Sequence, residues 1–300
     1  LKLINSEVRI ENSSRCNANC TICPRDKLTR PQTIMPFDHF KKLVDEAKSL
    51  GAEIISIFGF GEPLIDPGVA AKVAYCTQQG LETFITTNAS LLTRKMSGAL
   101  KLAGLTKLRI SMHGTSENYE AVHRGLSFKK FTKNFSDFLD VNSDHEIKSE
   151  LTVIPMHGES VDFILRTWGG AVDDIEIWKP HNWGSAKDYR KIKRKLKTCG
   201  RPFSGPVQIN ADGMMMICCF DFNGEMTVGN TYMSSIEEIL KGKVYEIIRI
   251  RHRNGILDGL PCEHCDQLNE YKESPLLYSS KDETRGINKT STNKFELKEI

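Results

Sequence analysis

Long apolar runs are missing from this 300-residue chain: nothing approaches the ~18 residues that a membrane-spanning helix needs. The N-terminus has neither the basic nor the apolar region of a secretory signal. Both shortages argue against a membrane protein and lead to the expectation of a cytoplasmic location. Charge of one sign is scarce too. Lysine and arginine number 41 against 38 aspartate and glutamate, a formal net charge of +3 that gives no field strong enough to gather nucleic acid. The exception is local: Lys187 to Lys197 (KDYRKIKRKLK) is strongly basic, and it reads as solvated linker or helix surface ahead of an RNA-binding patch. A content of 39% hydrophobic and 26% charged residues describes one large or two ordinary globular domains, each with its own core.

Cysteine, by contrast, is plentiful. Nine in a chain read as cytoplasmic point to metal or redox chemistry rather than a disulfide framework. Cys16, Cys20 and Cys23 are spaced C-x3-C-x2-C on a loop after a short strand, Glu7 to Ile10. Cys199, Cys218, Cys219, Cys262 and Cys265 fall in the last third, and Cys76 stands alone on an amphipathic helix pattern as an ordinary buried thiol. The first loop supplies no nearby fourth Cys or His, since His39 lies inside a helical pattern. Three thiols plus a distant ligand would satisfy tetrahedral zinc. A cubane cluster wants four cysteines, so three would leave one iron open to a chelating small molecule.

From residue 36 helix and strand alternate. Helices are expected from Pro36 to Leu50, Pro67 to Gln79 and Thr93 to Ala103, in a longer region ending near Val141, and from Ser160 to Trp168. Strands are expected at Glu53 to Phe58, Leu81 to Thr86, Thr106 to Met112, Glu146 to Ile154 and Val172 to Trp178. Strands alternating with helices imply a parallel sheet with right-handed crossovers, and periodicity alone leaves open whether it is doubly wound or an incomplete barrel. Functional groups in such folds gather at the carboxyl ends of strands. Here those ends read Gly59-Phe60-Gly61-Glu62-Pro63, Thr86-Thr87-Asn88, Ser111-Met112-His113-Gly114, Val153-Ile154-Pro155-Met156 and Lys179-Pro180-His181-Asn182-Trp183-Gly184.

The cysteine loop, with apolar Ile22 completing C-x3-C-x-Φ-C, and these strand ends in their order resemble the radical S-adenosylmethionine (SAM) superfamily. The resemblance implies an α/β fold, a partial (β/α)6 barrel open on one side. It implies that Cys16, Cys20 and Cys23 hold a [4Fe–4S] cluster whose open iron is chelated by SAM. It assigns the SAM amine to Gly61 and Glu62, the ribose to Thr87 and Asn88, the SAM carboxylate to Arg124 of His123-Arg124-Gly125, and the apolar adenine contact to the segment containing Pro155. Ile22 and Ser111 complete the cofactor-binding set. Phe60 stands where the family's Gly-Gly-Glu-Pro motif has its first glycine.

After a basic linker (185–198) the character changes. Val207 to Asn210 and Met214 to Cys218 read as a hairpin turning at Ala211-Asp212-Gly213. Ser234-Ser235-Ile236-Glu237 resembles a capping box, a second helix follows to about Arg253, and C-x2-C closes the region at Cys262 and Cys265. Four thiolates suit zinc and a cubane equally on composition. The pattern resembles the SPASM and shorter Twitch extensions of radical SAM enzymes, small α+β domains, which implies one auxiliary [4Fe–4S] cluster on Cys199, Cys218, Cys262 and Cys265. Strand alternation sends Cys219 to the opposite face. The expected division is a barrel at 1–184, the linker, an auxiliary-cluster domain at 199–272 and a polar tail at 273–300, disordered or docked on a partner.

The resemblance implies reductive cleavage of SAM to a 5′-deoxyadenosyl radical that takes a substrate hydrogen. The layout is similar to that of the butirosin-pathway aminocyclitol dehydrogenase, so the expectation is a two-electron oxidation, alcohol to ketone, of a small polyol, sugar or aminocyclitol. One auxiliary cluster would accept an electron, and an external flavodoxin- or ferredoxin-type donor would supply the first. His181, Asn182 and Trp183 are the substrate candidates; His113, His157 and His181 are the candidate proton acceptors. Modification of a ribosomal peptide is the enzymatic alternative. A non-catalytic metal-binding, electron-transfer or RNA-binding module is the alternative from outside enzymology.

Overall fold

The computed structural model describes residues 1–114, 116–194, 196–269 and 275–281. Alternation within β1 (Glu7–Ile10), β2 (Ile54–Ile57), β3 (Glu82–Thr87), β4 (Lys107–His113), β5 (Lys148–Ile154) and β6 (Asp174–Trp178) decides which face of the sheet meets the helices. Val8, Ile55, Ile85, Leu108, Leu151 and Ile175 point to one side and are buried. They share a core with α1 (Phe37–Ser49), α2 (Val69–Gln78), α3 (Arg94–Leu102), the single turn α4 (Tyr119–Val122), α5 (Phe128–Val141) and α6 (Val161–Trp168). These helices form because their apolar residues recur on one stripe: in α5, Phe131, Phe135 and Phe138 are buried while Lys129, Lys130 and Lys133 are exposed.

The other face of the sheet is polar. Fully buried Glu150 is held by Lys107 at 2.5 Å, by Arg109 and by Lys281, and Arg109 also reaches Glu176 at 3.3 Å. This ionic set fills the face between the first halves of β4 and β5 and the middle of β6. The carboxyl ends of the strands are left for the site.

The strands run β1 to β6 in sequential parallel order. There is no break where the second region begins. After the turn α7 (Arg201–Ser204), β7 (Val207–Ile209) pairs parallel to β1, and β8 (Met214–Met216) and β9 (Thr227–Asn230) continue antiparallel. The helices α8 (Ile236–Leu240), opened by a complete Ser235–Glu238 capping box, and α9 (Lys243–Asn254) follow. The architecture is a partial (β/α)6 barrel whose sheet runs on into an auxiliary hairpin, ten strands in all among the described residues.

Three expectations need correction. The long helical region before Val141 is broken: α4 stops at Val122 and α5 starts at Phe128, because Gly125 takes φ +91° and the intervening backbone pairs with the cysteine loop instead. The linker is solvated only in its second half. Lys187 bonds Asp26 at 3.0 Å and Arg190 bonds Asp266 at 2.7 Å, whereas Lys191 to Arg194 are exposed. Finally, Leu276–Ser279 in the stretch read as a tail form β10, antiparallel to β6, because that edge of the sheet offers an unpaired ladder. Residues 270–274 and 282–300 lie outside the described residues.

Candidate active site

The cysteine loop leaves β1 and is tied down on every side. Glu62 N–H donates to the Arg15 carbonyl at 2.8 Å, Asn19 N–H to Arg124 at 2.9 Å and Thr21 N–H to Val122 at 2.9 Å. The Arg25 guanidinium donates to the Ser14 and Phe60 carbonyls at 2.8 and 3.0 Å. The thiols of Cys16, Cys20 and Cys23 are all pushed up, first by burial, Cys23 to about 11, and Cys16 raises the other two further. Metal binding would have to displace their protons. Three thiols on one loop are the donor set of a cluster with one open iron. Ile22 packs with Val122, Ile154 and Met156 beside Cys20, and Pro155 lies buried between the last two, which joins the loop to the end of β5.

At the end of β2 there is no room for any residue but glycine at position 61, where a Cβ would lie 2.1 Å from the Ser13 carbonyl oxygen. That close approach aims Glu62 inward. Its carboxylate, 2% exposed, accepts from Leu64 N–H (3.0 Å), Thr87 Oγ1 (2.6 Å) and Asn88 N–H (2.8 Å), and burial raises its pKa. One oxygen takes two of these bonds and the other one, so a lone pair remains for a cation. The hydroxyl of Thr87, the residue expected at the ribose, donates to Glu62 and accepts from Ala89 N–H at 3.0 Å, which leaves it one lone pair. The Asn88 amide donates to the Asn17 Oδ1 of the cysteine loop at 3.1 Å. Ser111 is half-buried on the polar face of β4, and Arg124 is exposed, its backbone rather than its side chain holding the loop.

The three substrate candidates separate. Asn182, 1% exposed, uses its side chain on the linker backbone, accepting from Tyr189 and Arg190 N–H at 2.9 and 2.8 Å and donating to the Arg190 carbonyl at 2.6 Å, so it is a junction residue. Trp183, at φ +51°, donates its indole N–H to the Ile22 carbonyl at 2.6 Å and meets Phe60 and Phe220 edge-on at 5.4 and 5.2 Å. Phe60 therefore has a packing role where the family has glycine. His181 stacks obliquely on Phe220 at 4.8 Å, and burial lowers its pKa to about 4. Of the other histidines, His113 is buried against His123 and His157 is exposed.

The four later cysteines converge. Cys199, Cys218, Cys262 and Cys265 line a single cavity with Arg201 and Phe220. Burial pushes Cys262 and Cys265 up to about 12. Cys219 does not line the cavity; its sulfur lies 3.1 Å from the Arg201 guanidinium. Among the described residues no three His, Cys, Asp or Glu side chains are arranged to hold a single metal ion. Four thiols around one cavity are the ligand number of a cubane cluster. Sequence reasoning missed Arg201, Phe220 and Glu11. Fully buried Glu11 grips Arg30 at 2.6 and 2.7 Å and also accepts from Phe60 and Ala211 N–H, tying the cysteine loop to the hairpin. A charged residue at the end of β1 was the signal available.

The chain matches the family model of the radical SAM superfamily over residues 10–166 and that of the SPASM iron–sulfur cluster-binding domain over residues 183–266. An AdoMet-dependent heme synthase of Methanosarcina barkeri is 32% identical over 39% of this chain and 33% of its own length. A probable GTP 3′,8-cyclase of Methanothermobacter thermautotrophicus is 31% identical over 57% of each chain. The matches therefore span about a third to somewhat over half of these relatives. Among solved structures, BtrN in complex with AdoMet and 2-DOIA aligns over 89% of this chain and 93% of its own, with a TM-score of 0.60 and 22% identity. Streptococcus suis SuiB bound to the precursor peptide SuiA aligns over 89% and 71%, with a TM-score of 0.65 and 16% identity. At these identities the structural likenesses show a shared fold. Among the described residues no helix is long and apolar enough to cross a membrane. The two matched domains bring a SAM-binding [4Fe–4S] cluster, an auxiliary cluster and SAM as cofactors. Matched across more than half its length, with its three-thiol loop and Glu62 set at the carboxyl ends of a parallel sheet, the chain belongs to the radical SAM superfamily.

Proposed function

We propose that this enzyme oxidises a hydroxyl-bearing carbon of a small polyol, sugar or aminocyclitol to the ketone. Cys16, Cys20 and Cys23 would hold the cluster that binds SAM, and Cys199, Cys218, Cys262 and Cys265 the auxiliary cluster. Together these groups would supply a 5′-deoxyadenosyl radical to take a hydrogen atom from the substrate, and an acceptor for the electron released with a proton. Glu62, kept in place by Thr87 and by the Asn88 and Leu64 amides, offers its remaining lone pair to the SAM ammonium. Ile22, Pro155 and Met156 keep water from the adenine side, while Arg124 meets the SAM carboxylate and Ser111 completes the cofactor-binding set.

The observation that carries the reading is the bridge between the two cysteine sets. Trp183 bonds the cysteine loop at Ile22 and packs on Phe220, which lines the four-thiol cavity. A substrate at this bridge would lie between the radical and the electron acceptor, as a two-electron oxidation requires. The likeness to BtrN supports a small substrate. A soluble one-electron donor of flavodoxin or ferredoxin type would reduce the first cluster.

The test is a screen of polyols deuterated at the carbinol carbon, with reconstituted enzyme, SAM and dithionite. Deuterium transferred into 5′-deoxyadenosine together with a ketone product is expected. Deuterium transfer only from a peptide, with no polyol turned over, would replace this reading with peptide modification.

A further inference from the structure

His123 lies next to Arg124 in the segment that breaks the long helix, and nothing so far gives its ring a task. The ring is 1% exposed and stacks with two others, His113 at 5.1 Å and 6° from parallel, and Tyr119 at 4.4 Å. Nε2 lies 2.8 Å from the backbone nitrogen of His113. A backbone amide can only donate, so Nε2 must be the bare, accepting nitrogen. A neutral imidazole has one donor and one acceptor, so the ring proton sits on Nδ1. Nδ1 lies 3.3 Å from the sulfur of Cys20.

We propose that His123 is a positioning residue for the SAM-binding cluster, donating an N–H···S hydrogen bond from Nδ1 to the Cys20 sulfur and so raising the cluster's reduction potential. The inference rests on the reading that Cys16, Cys20 and Cys23 hold that cluster. Hydrogen bonds to cluster sulfurs stabilise the more negative, reduced state, and partners of ligands tune metal sites through such contacts. The backbone makes the contact durable. Val122 and Arg124, on either side of His123, accept from Thr21 and Asn19 of the cysteine loop, so the ring and the sulfur cannot drift apart without breaking both bonds. The ring cannot be turned over cheaply either, because the His113 amide would then lose its acceptor.

The test is an EPR-monitored redox titration of the anaerobically reconstituted enzyme, the SAM-dependent change in g-values marking this cluster's signal. In His123→Leu the ratio of reduced to oxidised cluster at a fixed potential should fall about tenfold, a shift of ~59 mV for one electron. His123→Asn, whose amide nitrogen takes the place of Nδ1, should recover most of it. The wild type provides a measurement that needs no variant: pulsed EPR with 15N-labelled histidine should show a weak nitrogen coupling to the reduced cluster in the absence of SAM. A loaded cluster with neither a shifted potential in the leucine variant nor a histidine coupling would overturn the role of His123 alone. Failure of the wild-type loop to retain iron would overturn the cluster assignment and this inference with it.

Discussion

The indole N–H of Trp183 donates to the carbonyl oxygen of Ile22 at 2.6 Å across 161 positions of sequence. That bond joins the loop of the first three cysteines to the point where the chain leaves the barrel. Ile22 is itself buried, so its carbonyl has no ready substitute in solvent. Trp183→Phe keeps the ring packing on Phe60 and Phe220 but removes the donor. An unpaired buried carbonyl costs ~1–3 kcal/mol. The variant should therefore release iron from the first cluster to a chelator faster than wild type, with the auxiliary cluster's release unchanged.

Glu62 is the residue on which the proposed SAM pocket turns. Glu62→Gln would set an NH2 group against one of three donors, the Leu64 and Asn88 amides and the Thr87 hydroxyl. We expect SAM cleavage to fall at least ~100-fold, the scale of losing a preorganised polar contact in a dry site. Thr87→Val should lower it less, through misplacement of Glu62. Rates of 5′-deoxyadenosine formation in the two variants measure the difference.

The Glu11–Arg30 pair is buried on both sides, with side-chain exposures of 0% and 5%. Removing one member of such a pair costs ~3–5 kcal/mol because the other charge is stranded. Arg30→Met should lower the denaturant midpoint accordingly. Glu11→Gln with Arg30→Met should recover part of that loss.

His39 provides a pH signature outside the clusters. Thr231 Oγ1 donates to the Gly213 carbonyl at 2.7 Å and so accepts from His39 Nε2 at 2.9 Å, and burial and then Lys42 hold the ring below its ordinary pKa. A base with a lowered folded pKa binds fewer protons folded than unfolded just below ~6.5, so stability is lost as pH falls through that value. Denaturant midpoints at pH 7.5 and 5.5 should differ more for wild type than for His39→Gln.

How much of this was legible beforehand depended on where each partner lies in the chain. Strands β1 to β6 were readable because Val8 and Ile10 or Leu108 and Ile110 alternate locally. The cysteine loop was readable because its three thiols lie within eight residues. The bonds of Thr87 to Glu62 and of Asn182 to the 189–190 backbone were not, since spacing does not show such contacts. β10 escaped because Leu276-Leu277-Tyr278 is a short apolar run whose partner, β6, lies about a hundred residues away. The helix break at His123 escaped because it is decided by pairing with the cysteine loop, not by a local breaker other than Gly125.

The account's central claim is that the chain holds two separate clusters on two cysteine sets. Iron should be counted, and 5′-deoxyadenosine followed, for the reconstituted wild type, for a variant with Cys16, Cys20 and Cys23 changed to Ala, and for one with Cys199, Cys218, Cys262 and Cys265 changed to Ala. The account predicts about eight irons in the wild type, the sum of two four-iron cubanes, and about four in each variant, with 5′-deoxyadenosine lost only in the first. Iron content indifferent to the loss of either set, or SAM cleavage surviving without Cys16, Cys20 and Cys23, would contradict it.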